Sequence, residues 1–220
     1  MKGFYVVLLV VAIGGVAWLL YSARHKPEGR PVSATAVPVA PASGFRGYTV
    51  GNDAAPVHIV EYSDFECPFC ASFVTVQMPE VRQQLINTGK VHWRFRDFPL
   101  SSHQYSRTAA LAAHCGGEQG KFWEMHDQLF FNHQWAQTGK NPSGLFRQFA
   151  KTIGLDGDRY DACMDSQRYA GRVEESRREG EALGVDHTPF FFVNGRRYDG
   201  KTTSDAFKAL VDSLTARPKR

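Results

Sequence analysis

Two cysteines separated by two residues, in the run Cys67-Pro68-Phe69-Cys70, are the residues of this chain best placed to do chemistry. An apolar-rich run precedes them and helical spacing follows, so both cysteines fall on the first turn of a helix. On such a turn the two sulfurs come within bonding distance and can cycle between dithiol and disulfide. Cys67 is expected at the N-cap, where free backbone N–H groups and the helix dipole favour a thiolate and lower its pKa. Cys70, one turn further on, is then the shielded, resolving thiol.

A Cys-x₂-Cys pair can also be half of a zinc site or a purely structural disulfide. The two other cysteines, Cys115 and Cys163, are far apart and form no second such pair. None of the eight histidines forms a closely spaced His pair beside them. Pro68 suits the first helical position, because its ring presets φ and its missing N–H would have no helical partner there. This context favours redox chemistry without a metal.

The N-terminus determines which compartment this chemistry faces. Residues 3–21 form an uncharged, mostly apolar run between Lys2 and the basic group Arg24, His25 and Lys26. The run is close to the length that crosses a hydrocarbon core and longer than the apolar region of a cleavable signal. Residues 1–23 are therefore predicted to be a transmembrane signal anchor, with a cleaved signal peptide as the alternative. An even number of cysteines fits export into an oxidising compartment.

The rest of the chain divides into a linker and one domain. Residues 24–44 are rich in Pro and Ala without apolar periodicity, which predicts a disordered linker. Residues 45–220 are long enough for one catalytic domain with its own core. The net charge of the chain is +4, but most of the excess lies before residue 45, so composition gives no support to nucleic-acid binding.

The apolar pattern of the domain predicts strands before and after a helical block. A strand at 57–63 leads into a helix from Pro68 to about residue 87, which Pro79 is expected to kink or break. Alternation at 91–96 predicts a second strand, and about 102–184 shows helical spacing throughout. An Asn194-Gly195 turn between two apolar-rich runs predicts a hairpin, and a closing helix follows.

Taken in order, these elements and their motifs resemble the DsbA family. The motifs span 48–215 and include Glu61-Tyr62-Ser63-Asp64-Phe65-Glu66-Cys67-Pro68-Phe69-Cys70, Arg96-Asp97-Phe98-Pro99-Leu100 and Thr188-Pro189-Phe190-Phe191-Phe192-Val193-Asn194-Gly195-Arg196. The resemblance implies an α/β, thioredoxin-like fold with an inserted helical subdomain at about 102–184. It also implies that Cys67 is the nucleophile and Cys70 its resolving partner.

The resemblance implies roles for further residues around the cysteines. Pro189 is the expected cis-proline opposite the disulfide, which leaves Thr188 with backbone groups free to pair with a substrate peptide; a trans proline that merely opens a strand is the alternative. Glu61 occupies the position of the family's acidic residue, which relays protons beneath the cysteines. A solvent-facing Glu61 on an edge strand is the alternative.

Three side chains near the motif carry expectations about the thiolate. Asp64 and Glu66 are expected to be exposed and, if anything, to oppose thiolate formation at Cys67. Strongly oxidising relatives carry His where this chain has Phe69, which offers neither a donor nor a charge. The thiolate of Cys67 is therefore expected to be less stabilised, and the disulfide less oxidising, than in those relatives.

In related exported proteins a second disulfide staples the inserted helices, which implies a structural Cys115–Cys163 bridge. Two unpaired buried thiols and a second redox pair are the alternatives.

The sequence thus predicts a monomeric thiol:disulfide oxidoreductase, held in the cytoplasmic membrane through residues 3–21, with its domain in the periplasm or extracytoplasmic space. Its partners would be exported proteins with free cysteines and a quinone-linked membrane reoxidase, and it would need neither cofactor nor metal. An envelope reductase or isomerase and a non-catalytic peptide-binding or chaperone domain are the alternative functions.

Overall fold

The computed structural model describes residues 15–16 and 44–216. Gly15 and Val16 are helical, and the rest of the predicted signal anchor lies outside the described residues, as does the linker apart from Gly44. No helix within the described residues is both long and apolar enough to cross a membrane.

A mixed five-stranded sheet forms the centre of the part of the chain described from residue 44 onward. Its strands lie in the order β1-β3-β2-β4-β5. The central strands β2 and β3 pair in parallel, and every other pair is antiparallel. The strand bounds are Tyr48–Val50 (β1), Val57–Ser63 (β2), Val91–Asp97 (β3), Phe190–Val193 (β4) and Arg196–Tyr198 (β5).

Helices connect β2 to β3 and fill most of the chain between β3 and β4. The first crossover contains α1 and α2, and the inserted block contains α3 to α7, with a 3₁₀ turn at His133–Gln137. The helix bounds are Pro68–Ser72 (α1), Met78–Val81 (α2), Ser106–Glu118 (α3), Phe122–Phe131 (α4), Ser143–Thr152 (α5), Gly157–Ser166 (α6), Ala170–Ala182 (α7) and Ser204–Thr215 (α8).

Pro79 does not end the crossover helix. A π turn at Phe73–Gln77 precedes α2, and a second π turn at Arg82–Ile86 follows it, so helical backbone continues from 68 to 86. A proline has no N–H to donate, and its ring collides with the carbonyl one turn back. The wider π turn before Pro79 accommodates the ring, and the expected break is absent.

The sheet separates two sets of buried side chains. Alternate residues of β2 and β3, among them Ile59 and Trp93, face α1 and belong to the main core. The opposite face carries Tyr62, which packs with Phe98 and Phe192 in a smaller cluster. This alternation places the first-turn cysteines over one face of β2.

The α/β fold with an inserted helical block agrees with the sequence prediction. Strand β1 is the element that the sequence reading missed. It has only three residues, and its partner in the sheet, β3, lies more than forty residues away, as in the pair Tyr48 and Phe95. A strand this short shows too little alternation to predict, and its position depends on long-range pairing.

Candidate functional site

Cys67 lies at the N-cap of α1. Its backbone is extended, with φ −74° and ψ 122°, and Pro68 takes the first position of the helix. The Cys67 carbonyl accepts the Ala71 N–H at 3.0 Å, which begins the helical hydrogen bonding. The local sequence therefore starts the helix at the reactive sulfur, because Pro68 can begin a helix but cannot continue one from before.

The environment of the Cys67 sulfur favours its charged form. The pKa of Cys67 is lowered to about 6, first by a hydrogen bond from the Cys70 thiol and further by the Thr188 side chain. Backbone N–H groups of Phe69 and Cys70 at the helix start also point at the sulfur, while burial acts in the opposite direction. With this pKa, most of the Cys67 in the reduced protein is a thiolate at neutral pH.

Cys70 has the opposite character. It is fully buried, whereas Cys67 keeps 3% exposure. Burial raises the pKa of Cys70, and the neighbouring Cys67 thiolate raises it further. Both cysteines are free thiols in this structure. One sulfur is thus prepared as the nucleophile and leaving group, and the other holds its proton.

The loop between α7 and β4 closes the site from the other side. The Thr188–Pro189 peptide bond is cis. The Thr188 carbonyl oxygen lies 3.4 Å from the Cys67 sulfur and accepts the S–H of the protonated thiol form. The Thr188 hydroxyl is buried and makes no hydrogen bond among the described residues. The loop therefore presents both a backbone carbonyl and a hydroxyl beside the reactive sulfur.

Glu61 lies inside the domain, on the face of β2 that points toward α1. It has no exposed surface, and its Oε2 accepts the indole N–H of Trp93 at 3.0 Å. Its Oε1 makes no hydrogen bond within the described part of the chain. Burial raises the pKa of Glu61 to about 7, against the opposing effect of the Trp93 hydrogen bond. A carboxyl group with this pKa can give up or take a proton near neutral pH.

Ser63 is a site residue that sequence reasoning did not single out. It lies two residues after Glu61 on the same face of β2, and only 1% of it is exposed. Its hydroxyl oxygen makes no hydrogen bond to any residue that the structure describes, yet it lowers the pKa of both Glu61 and Cys70. The hydroxyl therefore lies near both groups, and the period-2 spacing from Glu61 was the signal that could have found it.

The expectation of an exposed Asp64 is wrong. Asp64 is 1% exposed, and its carboxylate accepts hydrogen bonds from the backbone N–H of Glu66 and of Leu100, each at 2.8 Å. The Ser106 hydroxyl donates to it at 2.5 Å, and His103 lies 2.8 Å away. Asp64 is buried because these donors replace water around the charge. It joins the loop before Cys67 to the start of the inserted block.

The outer surface of α1 is apolar. Phe69, between the two cysteines, is 73% exposed, and Val76 on the following π turn is 63% exposed. Pro68 is exposed as well. Exposed apolar side chains beside a reactive sulfur provide a surface on which an unfolded peptide can pack.

Cys115 and Cys163 lie away from this site, in α3 and α6. They form a disulfide with an S–S distance of 2.03 Å, which joins two helices of the inserted block. Within the residues that the structure describes, no group of three or more His, Cys, Asp or Glu side chains could hold a metal ion. His114 and His126 are fully buried and each lies 2.8 Å from an aspartate.

The structure thus brings Cys67, Cys70 and Thr188 into direct contact and places Glu61 beneath them on β2. Pro189 carries the cis bond of the facing loop. Ser63, which sequence reasoning left out, and Asp64, which it expected at the surface, complete the surroundings of the cysteines. The burial of Asp64 gave no sequence signal, because all of its partners except the Glu66 N–H come from residues more than thirty positions later.

Comparison with known families and structures agrees with this geometry. Residues 46–213 match the family described as Thioredoxin. Among solved structures, oxidised BdbD from Bacillus subtilis superposes with a TM-score of 0.68 at 25% identity, covering 76% of this chain and 91% of that one. Disulfide bond formation protein D of Bacillus subtilis is 26% identical over 166 residues, 74% of each protein.

A second group of relatives carries a different name. The Na⁺/H⁺ antiporter NhaA 3 of Salinispora tropica is 36% identical over 223 aligned residues, which cover 95% of this chain and 32% of the antiporter. The chain therefore spans about a third of the length of the antiporters that it matches.

Proposed function

Because this chain belongs to the thioredoxin family and is similar to BdbD and to disulfide bond formation protein D, we propose that it is a thiol:disulfide oxidoreductase that donates disulfides to exported proteins. The observation that carries the proposal is the asymmetry of the two thiols. Cys67 has a pKa of about 6 at the start of α1, whereas burial keeps Cys70 protonated. We do not propose Na⁺/H⁺ transport for this chain, since it matches only 32% of the length of the antiporter NhaA 3.

The first step begins with the oxidised Cys67–Cys70 disulfide. A substrate thiolate attacks the Cys67 sulfur, and a mixed disulfide forms between substrate and Cys67. The S–S bond of the enzyme breaks, and its electron pair leaves on Cys70, which then takes up a proton. Peptide binding along the Thr188 backbone and the apolar surface of Phe69 would hold the substrate for this attack.

In the second step, a second substrate thiolate attacks the substrate sulfur of the mixed disulfide. Cys67 leaves as a thiolate, the substrate keeps a disulfide, and the enzyme has gained two electrons as a dithiol. A low pKa makes Cys67 a good leaving group, so the same environment that stabilises its thiolate drives substrate oxidation.

Glu61 would donate a proton to Cys70 and accept it back during the reaction cycle. When Cys70 is released as a thiolate under the protein surface, a protonated Glu61 can supply a proton, and the reverse transfer serves reoxidation. A pKa of about 7 leaves the carboxyl group able to act in either direction near neutral pH. Ser63, which affects the pKa of both groups, lies in a position to carry that proton.

The reaction needs an extracytoplasmic setting and a supply of oxidant. Residues 3–21 would anchor the chain in the cytoplasmic membrane with the domain outside. A quinone-linked membrane reoxidase would accept the two electrons from the Cys67–Cys70 dithiol. Fusion of a periplasmic reporter after the last described residue would show activity if the domain is exported, and none if it stays inside.

The equilibrium reduction potential of the Cys67–Cys70 pair tests the direction of the reaction. Glutathione buffers would set the potential, and mass spectrometry would count the alkylated thiols of Cys67 and Cys70. A disulfide donor should have a potential well above the glutathione poise, toward the value of about −120 mV for DsbA. A value near about −270 mV, as for thioredoxin, would contradict disulfide donation and favour a reductase.

A further inference from the structure

A cleft lies on the face of the sheet opposite to the cysteines, and we call it the arginine cleft. Its cavity volume is about 90 Å³, and one side is open to solvent. Arg46, Arg94 and Arg96 line it, and Glu179 of α7 is the one acidic side chain in its lining. Arg46 comes from the segment before β1, and the other two arginines come from β3. Nothing in the proposed redox reaction uses these residues.

The positive charge in the arginine cleft is only partly balanced. Arg96 is 2% exposed, pairs with Glu179, and donates to the Phe45 carbonyl at 3.0 Å. The Nε atoms of Arg94 and Arg96 are both buried and have no acceptor within the described residues. Burial, together with the guanidinium groups of Arg46 and Arg96, lowers the pKa of Arg94. Three guanidinium groups thus line a cleft whose lining contains the Glu179 carboxylate, and the exposed Asp53 adds a second negative charge near Arg94.

The remaining wall of the arginine cleft is apolar. Val60 and Tyr62 of β2, Phe192 of β4 and Leu183 after α7 line it. Val60 and Leu183 are only partly buried and border the smaller apolar cluster of the domain. A free inorganic anion would satisfy the arginines but leave this apolar surface in water. A ligand that fits both parts has a charged end and an apolar end.

We propose that the arginine cleft binds an amphiphile with one anionic head group and a short acyl chain. A carboxylate or phosphate oxygen would accept hydrogen bonds from the terminal guanidinium N–H groups of Arg94 and Arg46, since the Nε atoms of Arg94 and Arg96 are too buried for a ligand to reach. The acyl chain would lie against Val60 and Leu183. The chain's own preceding segment, 33–43, contains no acidic residue and cannot supply the anion. The proposal does not depend on the redox function, because the cysteines lie on the other face of β2.

Methyl NMR of the full chain in phosphatidylcholine nanodiscs tests the proposal, with octanoate as the probe. Saturable shifts at Val60 and Leu183 are expected with octanoate, and much weaker ones with acetate, inorganic phosphate or octanol. If octanol binds as well as octanoate, the site does not require an anionic head group. If inorganic phosphate binds as well as octanoate, the site does not require an acyl chain. Either result would overturn the proposal. An absence of saturable octanoate binding would overturn the site itself.

Charge variants test which residues hold the head group. Arg46→Gln and Arg94→Gln should each weaken octanoate binding about tenfold, the effect of losing one charge-assisted contact. Glu179→Gln should strengthen binding, because it removes the competing carboxylate. Arg178→Gln is the control, since this side chain on α7 is 74% exposed and outside the arginine cleft. If Arg178→Gln weakens binding as much as Arg94→Gln, the effect is one of overall charge and the proposal fails.

A second titration, in nanodiscs with an anionic lipid, distinguishes a lipid from a free amphiphile as the natural ligand. Nanodiscs that contain phosphatidylglycerol would displace octanoate if the natural head group belongs to an anionic lipid. Octanoate that stays bound in those nanodiscs would indicate a free amphiphile. Both results support the arginine cleft, provided that Arg94→Gln weakens binding about tenfold, of phosphatidylglycerol in the first case and of octanoate in the second.

Discussion

Trp93 on β3 donates its indole N–H to the Glu61 carboxylate on β2, 3.0 Å away in the interior of the domain. The hydrogen bond favours the charged carboxylate, yet burial outweighs it and the pKa of Glu61 rises to about 7. The bond also fixes one carboxylate oxygen and leaves Oε1 free of protein hydrogen bonds among the described residues. The pair therefore holds an ionisable group in place beneath the cysteines.

Replacing Glu61 should change how stability depends on pH. The pKa of Glu61 is about 7 in the fold and 4.5 ordinarily, so folding favours its protonated form. The contribution to the free energy of unfolding is fully present below pH 4.5 and is lost as pH rises through about 7. That loss amounts to about 3 kcal/mol. Glu61→Gln should therefore become more stable relative to the wild type, by about this amount, between pH 4 and pH 8.

Urea unfolding of the wild type and of Glu61→Gln between pH 4 and pH 8 measures the difference in their unfolding free energies. The contributions of titratable groups that both proteins share cancel in this difference. Glu80→Gln is the matched control, because Glu80 is exposed and its variant should track the wild type at every pH. A stability difference between Glu61→Gln and wild type that stays constant with pH would contradict the raised pKa.

Replacing Cys70 should raise the pKa of Cys67. The hydrogen bond from the Cys70 thiol is the largest contribution that lowers this pKa to about 6. Cys70→Ala removes the donor but keeps the N–H groups at the start of α1. The rate of iodoacetamide alkylation at Cys67, followed by mass spectrometry against pH, should show a midpoint near 6 in the reduced wild type and a higher one in Cys70→Ala. Equal midpoints would locate the stabilisation in the helix start alone.

Removing the Ser63 hydroxyl should slow the chemistry of Cys70 without affecting the pKa of Cys67. The hydroxyl lowers the pKa of Cys70, so Ser63→Ala leaves that thiol harder to deprotonate. Release of a mixed disulfide by Cys70 should slow about tenfold, less than the loss expected for a full general base. Single-turnover kinetics with a trapped mixed disulfide measures this step, and Ser63→Thr should restore the rate. Loss of rate in both variants would indicate a packing effect instead.

Breaking the Cys115–Cys163 disulfide should destabilise the domain. The bond closes a long loop, with a sequence separation of 48, and restricts the unfolded chain. The double variant Cys115→Ala/Cys163→Ala should lose about 2–4 kcal/mol of unfolding free energy. The reduction potential of the Cys67–Cys70 pair should stay unchanged in that variant, since the bridge lies in the inserted helices. A changed potential would mean that the second pair takes part in the redox reaction.

Asp64→Ala should lower both the stability of the domain and the reactivity of Cys67. It removes the shared acceptor of two partly buried backbone N–H groups, of Glu66 and Leu100, together with the acceptor of the buried Ser106 hydroxyl. A loss of about 3 kcal/mol or more is expected, together with a lower alkylation rate at Cys67 as the loop loosens. Asp53→Ala is the control, because that side chain is 91% exposed. Equal losses in both variants would refute a special role for the buried carboxylate.

The sequence predicted those elements that depend on short-range features, namely helix capping and the alternation of apolar and polar residues. The Cys67-Pro68 start of α1 follows from N-cap chemistry, and the alternation of β3 follows from its side chains. The burial of Asp64 could not be predicted, because its hydrogen-bond donors come from a loop that only the fold brings near. Of the two outcomes expected at Pro79, the break is absent because a π turn accommodates the proline ring, and the kink stays a prediction.

The disulfide between Cys115 and Cys163 has a consequence for how the chain matures. The Cys115–Cys163 disulfide and the proposed Cys67–Cys70 disulfide would join the four cysteines in sequential order, so neither link would enclose or cross the other. A chain that is delivered N-terminus first can complete its Cys67–Cys70 link before Cys115 emerges, and the next two cysteines have only each other left. The order of emergence then selects the native pairing, and the protein can reach its oxidised form without a disulfide isomerase.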